Sequence, residues 1–219
     1  MLNVLARVRV NRVTDPIGRW LVGHGVAPDV VTVVGTVGSV AAALWFLPRG
    51  QLFVGTLVIT LFVLFDLIDG AMARARGNGT PFGAVLDSTC DRVADGALFA
   101  GLTWWCLGVG DQRLLGVAAL VCLVAGQLIS YIKARAEGAG LSADGGLVER
   151  AERLIVALVG TGLHGLGVPY ALPVALWLLA AASVWTVGQR ILLVHRSAQA
   201  SGPVSTTGPS GPTDSAPSP

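Results

Sequence analysis

The chain has 219 residues, of which 53% are hydrophobic and only 13% charged, and its net charge is +2. Soluble domains carry about 25% charged residues, so this composition excludes an ordinary soluble domain, and the small net charge gives no ground for a nucleic-acid partner. Cys90, Cys106 and Cys122 stand alone in apolar stretches, with the spacing of neither a zinc site nor a disulfide framework, and read as small core residues.

In chain order, residues 1–28 read as an amphipathic interfacial segment. Val4, Leu5, Val8 and Val10 alternate with Arg7, Arg9 and Arg12, and Pro16 precedes a second short stretch from Ile17 to Val22. Such a segment lies along a membrane surface with its arginines among headgroups, and it lacks the apolar core and cleavage site of a signal peptide. A spanning helix needs about 20 apolar residues. Six can be drawn: from about Asp29 to Leu47, Leu52 to Arg74, Phe82 to Leu107, Leu114 to Ala136, Leu147 to Leu163, and Tyr170 to His195. The fifth is the shortest in apolar content and reaches its length only if Glu149, Arg150, Glu152 and Arg153 sit at the interface. Residues 197–219 are rich in Ser, Pro, Gly and Thr and read as a disordered tail. The expected fold is an all-α integral membrane protein: an N-terminal amphipathic interfacial helix, a six-helix transmembrane domain over 29–196, and the tail.

Six spans put both termini on one side. That side collects Arg7, Arg9, Arg12, Arg19, Arg74, Arg76, Lys133, Arg135, Arg150, Arg153, Arg190 and Arg196, against Arg49 and Arg113 on the other. The positive-inside rule then predicts a multi-pass protein of the cell membrane with both termini in the cytoplasm.

The chemistry concentrates in a string of acids within apolar sequence, D-x2-D-G-x2-A-R-x8-G-x3-D-x3-D, formed by Asp66, Asp69, Gly70, Ala73, Arg74, Gly83, Asp87 and Asp91. On helices, spacings of three and four place Asp66 with Asp69, and Asp87 with Asp91, on single faces. Two such faces at the ends of consecutive helices bring four carboxylates together. In a low-dielectric place these repel unless cations sit among them. Carboxylate oxygens suit Mg2+ or Mn2+, with phosphates completing the shell. Gly70, Ala73 and Gly83 keep the face open, and Arg74 can pair with a phosphate or an aspartate. The loop Gly77-Asn78-Gly79-Thr80 offers backbone N–H groups to an anion. The alternative is a structural cluster in which Arg74 and Arg92 neutralise the acids. Asp95, one turn past Asp91, either extends the acidic face or pairs with Arg92. No Ser, Cys or His is placed as a covalent nucleophile. The histidines and tryptophans read as headgroup, packing or interface residues.

Over all eight positions the motif resembles the signature of the CDP-alcohol phosphotransferases, and the six-helix layout resembles that family throughout residues 1–196. The resemblance implies that Asp66, Asp69, Asp87 and Asp91 hold two metal ions gripping the pyrophosphate of a CDP-linked lipid. It implies that Asp91 also serves as general base, that Gly70, Arg74 and Thr80 contact the nucleotide, and that the stretch from Asp29 to Thr32 lines its pocket. It implies a homodimer as well.

The second half bears on the acceptor. Lys133, Arg153 and Arg190 fall at the same membrane side and can converge on one anion, as a phosphorylated acceptor requires; ordinary flanking charge is the other reading. The stretches "ISYIKARAEGAGLSADGGLVERAERL" and "VGQRI" resemble the actinobacterial phosphatidylinositol phosphate synthases of that family. In these the acceptor is inositol 1-phosphate, its phosphate held by a lysine and two arginines matching Lys133, Arg153 and Arg190. The implied reaction transfers the phosphatidyl group of CDP-diacylglycerol to inositol 1-phosphate and releases CMP. Two rivals stay open: a phosphatidylglycerophosphate synthase using glycerol 3-phosphate, and a membrane cation transporter, since intramembrane carboxylates also mark ion paths.

Overall fold

A computed structural model describes residues 14–77, 79–143, 145–147 and 149–200, with the side chain of Asp66 outside the description. Among the described residues all regular structure is helical: α1 (14–23), α2 (Pro28–Phe46), a 3-10 turn (Leu47–Arg49), α3 (Leu52–Val63), α4 (Phe65–Ala75), α5 (Pro81–Leu107), α6 (Arg113–Gly138), α7 (Arg150–Gly165) and α8 (Ala171–Ala200).

Local chemistry sets the helix starts that matter for function. Pro28 occupies the first turn of α2 and Asp29 follows it there, where a missing N–H is harmless and a carboxylate favours the helix dipole. Thr80 caps α5 by accepting from the Gly83 N–H at 2.9 Å, with Pro81 next. At α7, Glu149 and Glu152 form a reciprocal capping box, the Glu149 N–H donating to Glu152 Oε2 at 3.0 Å. That box fixes where α7 begins, and therefore where Arg150 and Arg153 point.

The helices close into a ring in which α2 packs on α5, α5 on α6, α6 on α8, α8 on α7, α7 on α3 and α3 on α2. On α2 the burial pattern inverts that of a soluble bundle, whereas large side chains such as Phe99, Leu102 and Leu176 fill the core elsewhere. In α2 the inner face is Thr32, Gly35, Ser39, Ala42 and Ala43, whereas Val30, Val33, Val34 and Val37 are exposed. Helices in lipid gain nothing from hiding large apolar side chains from one another. Small residues at their contacts instead let backbones approach and gain dispersion energy. One such close approach is at Gly101, where a Cβ would stand 2.7 Å from the Ala43 carbonyl oxygen.

Four of the expected spans are long and apolar enough to cross a membrane: Pro28–Arg49, Leu52–Ala75, Arg113–Gly138 and Ala171–Ala200. The third and fifth expected spans exist as α5 and α7. However, α5 carries Asp87, Asp91, Arg92 and Asp95 between its first turns and its middle, and α7 has only 16 residues and starts at Arg150 rather than Leu147. The second span is not one continuous helix. It breaks at Leu64, where the Leu67 N–H donates to the Leu64 carbonyl at 3.1 Å in a tightened turn. Phe62 and Phe65 flank the break, edge to face with ring centroids 5.6 Å apart, and seat on Gly38 and Gly35 of α2. The break separates the apolar α3 from α4, which carries the acids. Residues 197–200, expected as tail, continue α8. The rest of the expected tail, 201–219, and residues 1–13 of the interfacial segment lie outside the described residues.

Gly101→Ala is expected to destabilise the bundle by about 1–3 kcal/mol through overpacking, lowering the thermal unfolding midpoint in detergent. Gly188→Ala in α8, where nothing lies within 4 Å of the new Cβ, is expected to leave that midpoint unchanged or raise it.

Candidate active site

At the end of the ring where α2 and α5 begin and α4 finishes, a cavity of about 530 Å³ is lined by Asp29, Thr32, Asp69, Gly70, Ala73, Arg76, Thr80, Gly83 and Asp87, among others. Two elements contribute through their first turns and α4 through its middle. Asp29 and Thr32 come from the first turns of α2, Asp69 and Gly70 from α4, and Thr80, Gly83 and Asp87 from the capped start of α5. Asp69 is buried, and the Thr32 hydroxyl donates to its Oδ2 at 2.5 Å. A hydrogen bond to a carboxylate is among the stronger kinds and favours its ionised form. Gly83 is needed for access: a Cβ there would meet Thr80 Oγ1 at 3.1 Å and Asp29 Oδ1 at 3.4 Å. Arg76, which the motif reading did not single out as a site residue, lines the cavity and donates from Nη2 to the Val26 carbonyl at 2.9 Å. Its only sequence signal is its place inside the motif, two residues after Arg74.

One turn along α5 stands a second cluster of charge. Arg150 Nη1 pairs with Asp91 Oδ1 at 2.9 Å, and Arg92 with Asp91 Oδ2 at 3.4 Å. Arg153 Nη2 pairs with Asp95 Oδ2 at 2.7 Å, and Arg150 Nε lies 3.4 Å from Asp95 Oδ1. Arg153 is 1% exposed and Asp95 is 3% exposed. Breaking such a buried pair from one side costs about 3–5 kcal/mol, because the remaining charge is left without compensation. The two spacings match. Carboxylates four apart on α5 face guanidinium groups three apart on α7, and the pairs form across the interior of the ring. Nε and Nη1 of Arg153 are buried without a hydrogen-bond partner among the described residues, an arrangement that a bound anion or water satisfies.

The remaining basic residues gather on one face of α6. Gly126 lies against Arg153, its hypothetical Cβ 3.1 Å from Cζ, and the Ile129 carbonyl accepts from Arg190 Nη1 at 2.9 Å. Lys133, one turn beyond Ile129 on that face, pairs with Glu137 at 3.7 Å. Arg190, like Arg153, is buried, at 5% exposure.

The structure thus brings Asp29, Thr32, Asp69, Gly70, Thr80 and Asp87 into one cavity and places Asp91 beside it, held by Arg150. Asp66 lies on α4 one turn before Asp69, with its side chain outside the described residues. Arg74 does not line the cavity and pairs with Asp15 of α1 at 3.1 Å. Among the described residues no three His, Cys, Asp or Glu side chains stand together at metal-binding spacing. Even so, Asp69 and Asp87 offer hard oxygen donors to a shared cavity, a set that fits a hard divalent cation. Asp95 does not pair with Arg92 as the sequence allowed; its partners are Arg150 and Arg153. The clue was the matched pair of spacings, Asp91 with Asp95 and Arg150 with Arg153, but nothing in one dimension sets α5 opposite α7.

Comparison with known proteins finds relatives over most of the chain. The CDP-alcohol phosphatidyltransferase family model matches residues 25–188. The phosphatidylinositol phosphate synthase of Mycobacterium marinum is 56% identical over 196 residues, 88% of this chain and 84% of its own. That of Corynebacterium glutamicum is 49% identical over 198 residues, 90% of each chain. The crystal structure of Mycobacterium tuberculosis phosphatidylinositol phosphate synthase with CDP-DAG bound gives a TM-score of 0.82 at 56% identity, covering 85% of this chain and 95% of that one. The same enzyme in complex with manganese and citrate gives 0.81 at 56% identity, covering 84% and 90%. A match over most of the chain, with the acidic motif inside it, establishes that this protein belongs to the CDP-alcohol phosphatidyltransferase family.

Proposed function

We propose that the protein transfers the phosphatidyl group of CDP-diacylglycerol to the hydroxyl of inositol 1-phosphate, giving phosphatidylinositol phosphate and CMP. The observation that carries this reading is the adjacency of two anion-handling sites. An acidic cavity holding Asp69 and Asp87 lies one helical turn from the half-buried Arg150 and the buried Arg153, joined to it through Asp91. A donor with a pyrophosphate and an acceptor with its own phosphate need two such places within reach of one reacting centre. The names of the relatives at 49% and 56% identity support the same acceptor.

In this reading Asp66, Asp69, Asp87 and Asp91 hold two divalent cations, Mg2+ or Mn2+, and the manganese complex of the Mycobacterium tuberculosis enzyme supports a divalent metal. When bound, such cations neutralise charge on the pyrophosphate and make CMP a better leaving group. Thr32 orients Asp69 through its hydroxyl. Gly70 and Gly83 leave room for the nucleotide, Asp29 and Thr80 contact it, and Arg74, whose Nη1 stands 3.5 Å from where a Gly70 Cβ would be, reaches it from outside the cavity lining. Lys133, Arg153 and Arg190 bind the acceptor phosphate. Asp91 receives the proton of the acceptor hydroxyl, whose oxygen attacks the lipid-side phosphorus as the bond to CMP breaks.

The membrane arrangement follows the same reading. Residues 29–196 form six spans, with α5 and α7 completing the four long apolar ones. Residues 1–28 lie along the inner interface and 197–219 form a tail whose first residues extend α8. The lopsided placement of Lys and Arg puts both termini and the site in the cytoplasm of a cell-membrane protein. A homodimer is proposed on the family resemblance alone.

The deciding experiment supplies purified protein in detergent with CDP-diacylglycerol and Mg2+ and compares inositol 1-phosphate, free inositol and glycerol 3-phosphate. CMP release is expected with inositol 1-phosphate. Release only with glycerol 3-phosphate selects the phosphatidylglycerophosphate reading, and metal uptake into vesicles without CMP release selects a transporter. Asp91→Asn is expected to abolish transfer while the protein stays folded, with a modest fall in the unfolding midpoint from the weakened pair with Arg150; wild-type turnover in this variant removes Asp91 as the base. Thr32→Val removes a hydrogen bond to a charged group, about 1.5–3 kcal/mol. It is expected to raise the metal concentration for half-maximal rate roughly tenfold or more, measured by Mn2+ titration.

A further inference from the structure

Asp95 is outside the eight-position motif and does not line the acidic cavity, yet it is 3% exposed and engages two arginines. Its Oδ2 holds Nη2 of Arg153 at 2.7 Å. Gly126 of α6 backs the same guanidinium, with room for no side chain between them. A planar fork pinned at one nitrogen and backed on one side has lost most of its rotational freedom. The donors left to it, Nε and Nη1, are buried without a partner among the described residues. Asp95 Oδ1 meanwhile lies 3.4 Å from Nε of Arg150, whose Nη1 is 2.9 Å from Asp91. A carboxylate so placed connects the arginine assigned to the acceptor with the aspartate assigned to proton removal.

We propose that Asp95 is a positioning residue for the acceptor. It pins Arg153 so that the free donors of the guanidinium receive a phosphomonoester, and through Arg150 it holds that phosphate in register with Asp91. This rests on the assignment of Arg153 to the acceptor in the proposed function. Preorganised donors bind without losing side-chain entropy at the moment of binding, and a misplacement on the order of 1 Å is enough to slow a reaction about a hundredfold.

Positioning and bare charge predict opposite signs. If Asp95 merely diluted the positive charge of the pocket, neutralising it would tighten the binding of a dianion. If it positions Arg153, neutralising it weakens binding although the pocket becomes more positive. The test therefore compares full-length wild type, Asp95→Asn, Asp95→Glu, Arg153→Gln and the Asp95→Asn/Arg153→Gln double variant in detergent. The readouts are KM for inositol 1-phosphate, KM for CDP-diacylglycerol, and the thermal stabilisation given by inorganic phosphate without metal or lipid substrate.

Asp95→Asn is expected to raise the inositol 1-phosphate KM about tenfold or more. It is expected to leave the CDP-diacylglycerol KM within about twofold and to reduce the phosphate-induced shift. The double variant is expected to be no worse than Arg153→Gln, since residues acting as one unit are not additive. An unchanged or lowered acceptor KM, equal changes for both substrates, or additive losses in the double variant overturn the proposal. Should Asp95→Asn not fold, Asp95→Glu keeps the charge but moves it. Its acceptor KM is expected to rise about threefold or more, and a wild-type value overturns the proposal. A wild-type enzyme that ignores inositol 1-phosphate overturns the proposed function instead. In that case the inorganic-phosphate shift alone decides the role of Asp95, its loss in Asp95→Asn supporting the proposal and its persistence overturning it.

Discussion

Two carboxylates on α5 and two guanidinium groups on α7 meet across the interior of the helix ring, and the reacting end of the molecule is organised around that contact. Asp91 with Arg150 and Asp95 with Arg153 bridge two helices that are not neighbours in the ring. Charge buried as deeply as that of Asp95 and Arg153 is tolerated only when paired and hydrogen-bonded. The requirement therefore works as a constraint: α5 and α7 can adopt only registers in which both pairs form. The capping box at Glu149 and Glu152 sets one side of that register, and the Thr80 cap at the start of α5 sets the other. Helices that contact one another through small residues, as α2 does, need such polar anchors, because apolar packing alone favours many sliding positions nearly equally.

The acidic cavity depends on the same contact in a second way. Asp69 and Asp87 arrive from helices that both pack on α2, and α2 supplies Asp29 and the Thr32 hydroxyl between them. Asp91, one turn deeper on α5, belongs to the arginine cluster and stands beside the cavity at once. A residue with that double membership suits a reaction in which a metal-bound pyrophosphate and a phosphorylated alcohol must come together. It gives the proposed chemistry a physical route from the acceptor phosphate, through Arg153, Asp95 and Arg150, to the group that removes the proton. The break at Leu64 contributes by separating α4 from the lipid-facing α3, so that the acids need not follow the apolar stripe of the preceding helix.

Much of this was legible in one dimension. The helical segments follow from apolar length and from Pro, Gly and Thr at their starts, and the expected boundaries at Leu52, Leu107 and Leu114 fall at or within one residue of the observed ones. The motif spacings marked Asp69 and Asp87 for one site, and the cavity contains both. The partners of Asp95 and Arg74 were not legible. Each acid had a plausible arginine nearby in sequence, and proximity along a chain is a poor guide when a long guanidinium side chain can reach across a bundle. Arg74 turned to Asp15 of α1, and Asp95 turned to α7, some fifty residues away.

Composition and spacing by themselves determined that this chain is helical and apolar and that its acids pair off on single helix faces, because hydrophobic length and three- or four-residue periodicity are local properties of a helix. Only the tertiary structure decided which helices adjoin, that Asp91 and Asp95 answer Arg150 and Arg153, and that Gly126 leaves room for a buried guanidinium. Those facts depend on ring closure and on the pairing of charges removed from water, neither of which a single helix can express.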